Sequence, residues 1–219
     1  MVMKNVKVIK NPVICQSLCT MRNKNTDSQG VRIAARKITR VLLYEASKNL
    51  PLVDKEIETP LTKFVSKDIA NDIKIIISPI LRAGLIFTDE AIDILPDACI
   101  RHIGMYRDEE TLKPVWYYNK VPMATPNPEK FYVYITDPML ATGNSMLEAI
   151  RLYADKQIPL SNIKCINIIA APQGIELIHK EFPDVEIITA AVDEKLNEKG
   201  YIIPGMGDAG ERIFNTVAE

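Results

Sequence analysis

The sequence has little surplus charge of either sign. Its 27 Lys and Arg are matched by 28 Asp and Glu, a net charge of −1 with both histidines neutral. A chain built to grip nucleic acid or an anionic membrane surface carries a strongly basic footprint, so this balance argues against both partners. Long apolar runs are missing too. None approaches the roughly 20 residues needed to cross a bilayer, and Met1-Val2-Met3-Lys4-Asn5-Val6-Lys7 alternates Val with Lys where a signal peptide would have an apolar core. There are only four cysteines. Cys99 and Cys165 sit inside apolar runs, and Cys15 and Cys19 have neither His102 nor His179 near them in sequence. Reduced thiols are expected, and a zinc site is not. No internal repeat or low-complexity tract occurs. These absences leave a soluble cytoplasmic protein.

What remains is ordinary globular material: 219 residues, 47% hydrophobic and 25% charged. That length suits one α/β domain with some decoration and a core that needs no disulfide or metal. A short edge strand is expected at 6–9 and a long helix at 29–50, where Ile33, Ile38, Val41, Leu42 and Tyr44 or Ala46 recur at helical spacing. A strand at 56–59 is stopped by Pro60. Buried strands are expected at 73–77, 98–105, 132–135, 163–170 and 185–190, and helices at 85–95, 145–156 and 174–182. Such alternation predicts a mainly parallel sheet flanked by helices, with right-handed crossovers. Ligands then sit outside the carboxyl ends of the strands. Two regions break the rhythm. Residues 116–129 carry Pro122, Pro126 and Pro128 and read as a protruding arm or hairpin. Residues 195–210 hold four of the nine glycines without periodicity, and long aperiodic stretches in compact domains are usually functional.

Asp137-Pro138-Met139-Leu140-Ala141-Thr142-Gly143-Asn144-Ser145 lies between a strand and a helix and is suited to hold a phosphate. Unpaired amides and the dipole at a helix start favour an anion. Thr142 and Ser145 add hydroxyls, and Gly143 lets the backbone come close. Asp137 on the same loop can accept from sugar hydroxyls, which suits a ribose 5-phosphate. The plainer alternative is an N-cap by Thr142 or Ser145. No Gly-Lys-Ser/Thr is present, so this is not a nucleoside-triphosphatase loop. Gly205-Met206-Gly207-Asp208-Ala209-Gly210 matches G-x-G-x-x-G literally. It has too little chain after it for a second strand and an acidic residue some twenty positions on, so a dinucleotide site is rejected. Glycines so spaced let main chain approach a ligand closely, and a flat heterocycle could be read that way.

Five motifs, in order, resemble the uracil phosphoribosyltransferase family: Ser78-Pro79-Ile80-Leu81-Arg82-Ala83-Gly84, Met105-Tyr106-Arg107-Asp108-Glu109-Glu110-Thr111, the Asp137 to Ser145 loop, Ala170-Ala171-Pro172-Gln173-Gly174, and Leu196-Asn197-Glu198 with the Gly200 to Gly210 run. The resemblance covers most of the chain from about residue 70. It implies one phosphoribosyltransferase domain of type I fold over 1–219, with a flexible arm at about 115–131 and a base-binding segment at about 195–219. It implies transfer of phosphoribose from 5-phospho-α-D-ribose 1-diphosphate (PRPP) to uracil N1, giving UMP and diphosphate, with Mg²⁺ bound mainly through PRPP and water and no protein metal ligand. It also implies a homodimer or higher homo-oligomer.

By resemblance, Arg82, Arg107 and Asp208 are the catalytic residues. PRPP is bound by these three together with Asp137, Pro138, Met139, Leu140, Ala141, Thr142, Gly143, Asn144 and Ser145. Uracil is read by Ile202, Gly207, Asp208 and Ala209. Arginine grips phosphate bidentately, which suits a diphosphate. Asp108, Glu109 and Glu110 read as a solvated charge run, and Ile202 and Ile203 also suit core packing. Asn144 stands where the family usually has glycine, and Asn tolerates a left-handed backbone best among the other residues. Met206 replaces a usual Leu. The arm could close over the substrate or contact a second subunit. A PRPP- or UMP-binding regulator with weak turnover, or a transferase for another base, are the alternatives.

Overall fold

A computed structural model describes residues 4–107, 114–121 and 125–216, without the side chains of Arg107 and Pro114. In chain order the elements are β1 (Val6–Val8), α1 (Pro12–Arg22), α2 (Ser28–Ser47), β2 (Leu52–Glu58), β3 (Lys63–Ile69), β4 (Lys74–Leu81), a 3₁₀ turn (Ala83–Phe87), α3 (Thr88–Ile94), β5 (Cys99–Ile100), β6 (Ile103–Arg107) and β7 (Pro114–Asn119). The chain continues through β8 (Phe131–Thr136), β9 (Met139–Leu140), α4 (Asn144–Ala154), β10 (Ile163–Ala170), α5 (Pro172–Glu181), β11 (Glu186–Val192), β12 (Lys195–Leu196), β13 (Ile202–Ile203) and α6 (Ala209–Phe214).

The main sheet runs β1-β11-β10-β8-β4-β6-β7, with β5 on β4 and β9 on β10. Every pairing is parallel except β6 with β7. A strand's side chains alternate between faces, and this divides the core in two. Ile75, Ile77, Tyr134, Ile166, Ile168 and Ile188 pack with α1, α2, α3 and α6. Ile76, Val133, Ile135, Cys165 and Ile187 pack with α4 and α5. The mixed α/β class and the mainly parallel sheet are as the alternation predicts.

Several boundaries differ. β4 continues through Ser78-Pro79 to Leu81 rather than turning after Ile77. Pro79 is tolerated because the neighbouring strand is interrupted there: β5 pairs with Ile76 and Ile77, β6 with Ile80 and Leu81. The same interruption splits the expected strand 98–105 in two. The helix at 85–95 begins as the 3₁₀ turn. The strand at 56–59 is one arm of a β2–β3 hairpin that pairs only with itself. Residues 116–119 of the expected arm belong to the antiparallel edge strand β7. In α2 the buried face carries Val31, Ala34, Ala35, Ile38, Leu42 and Ala46, while Ile33 and Tyr44 are exposed. Helix α1 is additional to the expected elements; Asn11 caps it (its Oδ1 accepts from the Ile14 amide at 2.8 Å) and Pro12 opens it. Asp108, Glu109, Glu110, Thr111 and Pro122 lie outside the described residues.

Candidate active site

Parallel strands β4, β8, β10 and β11 all end on one edge, and the segments after β4, β8 and β11 line a cleft there of about 1130 Å³. One wall is the loop after β8. The Asp137 amide donates to Ile166 O at 3.2 Å, and its carbonyl accepts from Asn167 Nδ2 at 2.7 Å. The Pro138 carbonyl takes the amides of Ile168 and Ile169 at 2.9 and 3.0 Å, and the Leu140 carbonyl takes that of Ala171 at 2.8 Å. The loop is thus stitched to β10 before it reaches α4.

Gly143 then turns the chain with φ +86° and serves as N-cap of α4, without a side-chain cap. Neither Thr142 nor Ser145 fills that place. The Leu147 amide makes a bond to Gly143 O at 2.8 Å; the amides before it have no acceptor within the helix and face the start of the macrodipole. A side chain at Gly143 would stand 2.8 Å from Gly174 O, and one at Gly174 would stand 2.6 Å from Ala141 O. The glycine of the Ala170 to Gly174 motif is therefore required by the close approach of α5 to the loop.

The opposite wall is the 195–210 segment. β12 and β13 form a small hairpin in which Asn197 Oδ1 accepts the amides of Lys199 and Tyr201 at 3.0 and 2.9 Å. Gly205 and Gly207 adopt φ +55° and +80°, after which Asp208 caps α6 by accepting from the Glu211 amide at 2.9 Å.

Of the residues singled out from sequence, Arg82, Asp137, Met139, Leu140, Ala141, Thr142, Gly143, Ser145, Ile202, Gly207, Asp208 and Ala209 all line this one cleft. Arg82 is exposed just past β4. Ile202 belongs to the core as well. Two do not line it. Pro138 is buried against β10, and Asn144 is the first residue of α4. The left-handed turn falls on Gly143, so Asn144 needs no special backbone tolerance. Arg107 ends β6, its side chain outside the description. Ala83, Met146, Glu198, Lys199, Gly200, Tyr201 and Gly210 also line the cleft without having been assigned to it. Ala83, Glu198, Gly200, Tyr201 and Gly210 stand within the recognised motifs, while Met146 and Lys199 directly adjoin them.

Burial pushes the Asp137 carboxyl up to about 7, and the nearby Asp208 charge adds to the rise, against the Met139 amide that lowers it. Two carboxylates that repel each other across a cleft favour a cation or hydroxyl donors between them. Among the described residues, no three His, Cys, Asp or Glu side chains cluster as a metal cage would.

A sequence profile described as uracil phosphoribosyltransferase matches residues 8–216. A protein named uracil phosphoribosyltransferase from Dictyoglomus thermophilum is 47% identical over 212 residues, 96% of this chain and 99% of that one. The solved structure of the AQ2163 protein from Aquifex aeolicus is 37% identical, covers 95% of this chain and 97% of its own, and superposes with a TM-score of 0.86. Adenine phosphoribosyltransferase from Trypanosoma brucei, solved with AMP, pyrophosphate and ribose-5-phosphate, is 14% identical with a TM-score of 0.57 over 87% of this chain and 85% of its own, and shares the fold. By the profile and the full-length relatives, this chain belongs to the uracil phosphoribosyltransferase family.

Proposed function

We propose that this enzyme transfers the phosphoribosyl group of PRPP to N1 of uracil, forming UMP and diphosphate. The carrying observation is that the uncapped N-terminus of α4, the Asp137 carboxylate and the Gly207-Asp208 turn share one cleft. The 5-phosphate suits the α4 amides with the hydroxyls of Thr142 and Ser145. Asp137, with Asp208 across from it, accepts from the ribose hydroxyls. Arg82, with Arg107 from the end of β6, is assigned to the diphosphate. Main-chain groups around Ile202, Gly207, Asp208 and Ala209 read the uracil edge, and cytosine would leave like facing like there.

In the reaction the bond from ribose C1 to the diphosphate oxygen breaks, the C1–N1 bond forms, and the N1 proton leaves to the diphosphate or solvent. The ribose becomes cationic as the diphosphate gains charge. The protein's part is positioning and charge stabilisation. Mg²⁺ carried on PRPP would neutralise diphosphate charge, and the facing carboxylates of Asp137 and Asp208 suit the waters of such an ion.

We also infer a cytoplasmic homodimer or higher homo-oligomer. All four cysteines are free thiols, and no helix among the described residues is long and apolar enough to cross a membrane. The β2–β3 hairpin exposes Leu52, Val53, Ile57, Phe64 and Val65, with Leu61 94% exposed at its tip. A lone hairpin is marginal in water, so a second copy packed on it accounts for its apolar faces; sedimentation equilibrium reads this directly, and a monomer would refute it. A PRPP- or UMP-binding regulator with weak turnover would draw support from Asn144 in place of the family's glycine, but Asn144 is the first residue of α4 and does not line the cleft. Incubation with uracil, PRPP and Mg²⁺ should yield UMP and diphosphate in equal amounts. No product at high enzyme concentration sinks the reading, and turnover of cytosine, hypoxanthine or orotate in preference to uracil redirects it.

A further inference from the structure

The turn at Gly205 is held by residues that the reaction does not use. Asp193 stands just past β11 with its side chain 6% exposed, and Arg22 ends α1. Arg22 Nη1 and Nη2 donate to the two Asp193 oxygens, each at 2.7 Å. The same Nη1 donates to Gly205 O at 2.8 Å, and the Gly205 amide donates to Asp193 Oδ2 at 2.8 Å. One ion pair therefore fixes both polar groups of a single peptide residue. The next carbonyl, that of Met206, takes Arg212 Nη1 at 2.7 Å, and Arg212 Nη2 reaches Asn23 O, beside Arg22, at 2.8 Å. Two consecutive carbonyls are thus held toward α1, and the groups of Gly207, Asp208 and Ala209 are the ones left to line the cleft.

With Asp193 buried and Arg22 26% exposed, the pair contributes little net stability compared with apolar packing, because desolvation offsets the attraction. What this pair supplies is direction: a planar fork fixes the carboxylate and the carbonyl in one plane, which an apolar pair could not do. A main-chain site that distinguishes bases by donor and acceptor placement depends on just such fixing, since a misplacement of about 1 Å can cost about 100-fold.

We propose that Arg22, paired with Asp193, is a positioning residue for base recognition, setting the affinity for uracil while the 5-phosphate loop at 137–145 is untouched and the ribose contact of Asp208, anchored separately by the Glu211 amide at 2.9 Å, changes far less. The inference rests on the function proposed above and names the device that aims the base-reading turn.

The test compares wild type with Arg22→Met and Arg22→Lys in steady-state UMP formation, and follows amide hydrogen exchange at 205–208 and at 144–147. Arg22→Met should raise KM for uracil about 10- to 100-fold with KM for PRPP within threefold. Exchange should quicken at 205–208 and stay as in wild type at 144–147. Arg22→Lys, which keeps the charge but not the fork, should recover part of the uracil affinity. A folded Arg22→Met whose uracil KM is within twofold of wild type overturns the inference, as do the two KM values rising together. Should wild type form no UMP, the proposed function fails by itself. Exchange still decides the clamp in that case: unchanged protection at 205–208 in Arg22→Met overturns it.

Discussion

Residues 137–145 reach the cleft on hydrogen bonds to β10 and on contact with Gly174, partners about 30 positions away. Residues 205–208 reach the same cleft on Arg22, 183 positions away, and on Arg212, whose other contacts lie 189 and 191 positions back. The phosphate end is a piece of α/β architecture, a strand turning into a helix, and its shape follows from backbone geometry and main-chain bonds. The base end is an irregular segment with no strand of the main sheet to carry it, and long side chains from another element hold its shape. Substitutions at the first end should act through backbone space and local charge; at the second, through remote side chains that never touch a ligand.

Gly143→Val attacks the phosphate end where it is tightest. A branched side chain at φ +86° would meet Gly174 O at 2.8 Å for its first carbon alone, and left-handed backbone is costly for a β-branched residue. The loop must move, so kcat/KM for PRPP should fall by about 100-fold or more, far more than any loss of thermal stability would explain. Calorimetric titration with PRPP checks this independently of turnover. Retained PRPP affinity would break the comparison, since it would mean the loop is not set by its backbone.

Asp137 offers the next largest effect, through pH. Its folded pKa, about 7, lies above the ordinary 3.8, so between those values the folded protein binds more protons than the unfolded one. Its contribution to stability is therefore favourable when protonated and is lost as pH rises toward and through 7. Asp137→Asn cannot ionise and should gain on wild type between pH 5 and pH 8.5. Of the shift, about two pH units lie between pH 5 and 7, which correspond to about 3 kcal/mol, and water in the cleft should reduce that to about 1 kcal/mol. Urea unfolding at the two pH values measures the difference; a difference that is constant with pH would mean the carboxyl is well solvated.

Asn144→Gly is the smallest. Asn144 is helical and off the cleft wall, so KM for PRPP should stay within about twofold and stability should drop by about half a kcal/mol. A large change in either would return Asn144 to the site.

The contrast between the two ends also marks what could be read from sequence. The Asp137 to Ser145 loop is legible because the residues that mark it are local, namely a strand before it, an acid, a glycine and a helix that buries Met146, Ile150 and Tyr153, although its anchors on β10 and Gly174 are not. The strands of the parallel sheet were legible for the same reason, since their apolar runs need no knowledge of neighbours. Pro79 misled because its tolerance depends on a gap in the adjacent strand. On α2 the expected Ile38, Leu42 and Ala46 are buried, but Ile33 and Tyr44 are exposed because Ala34 and Ala35 take the inward positions. Glu198, Gly200 and Tyr201 belong to a recognised motif, yet their place on the cleft wall depends on the β12–β13 hairpin. Arg22, Asp193 and Arg212 carried no pattern at all, because their meaning lies in a contact across most of the chain.

The contact between α1 and the Gly205 turn has a consequence for the order in which the molecule is made. On a ribosome, residues 137–174 emerge and can close the phosphate end while 205–212 are still being synthesised. The base end waits for a late segment to find a helix completed long before it, 183 positions upstream. Any nascent species stalled between those stages would carry a formed phosphate loop facing an unfinished partner wall.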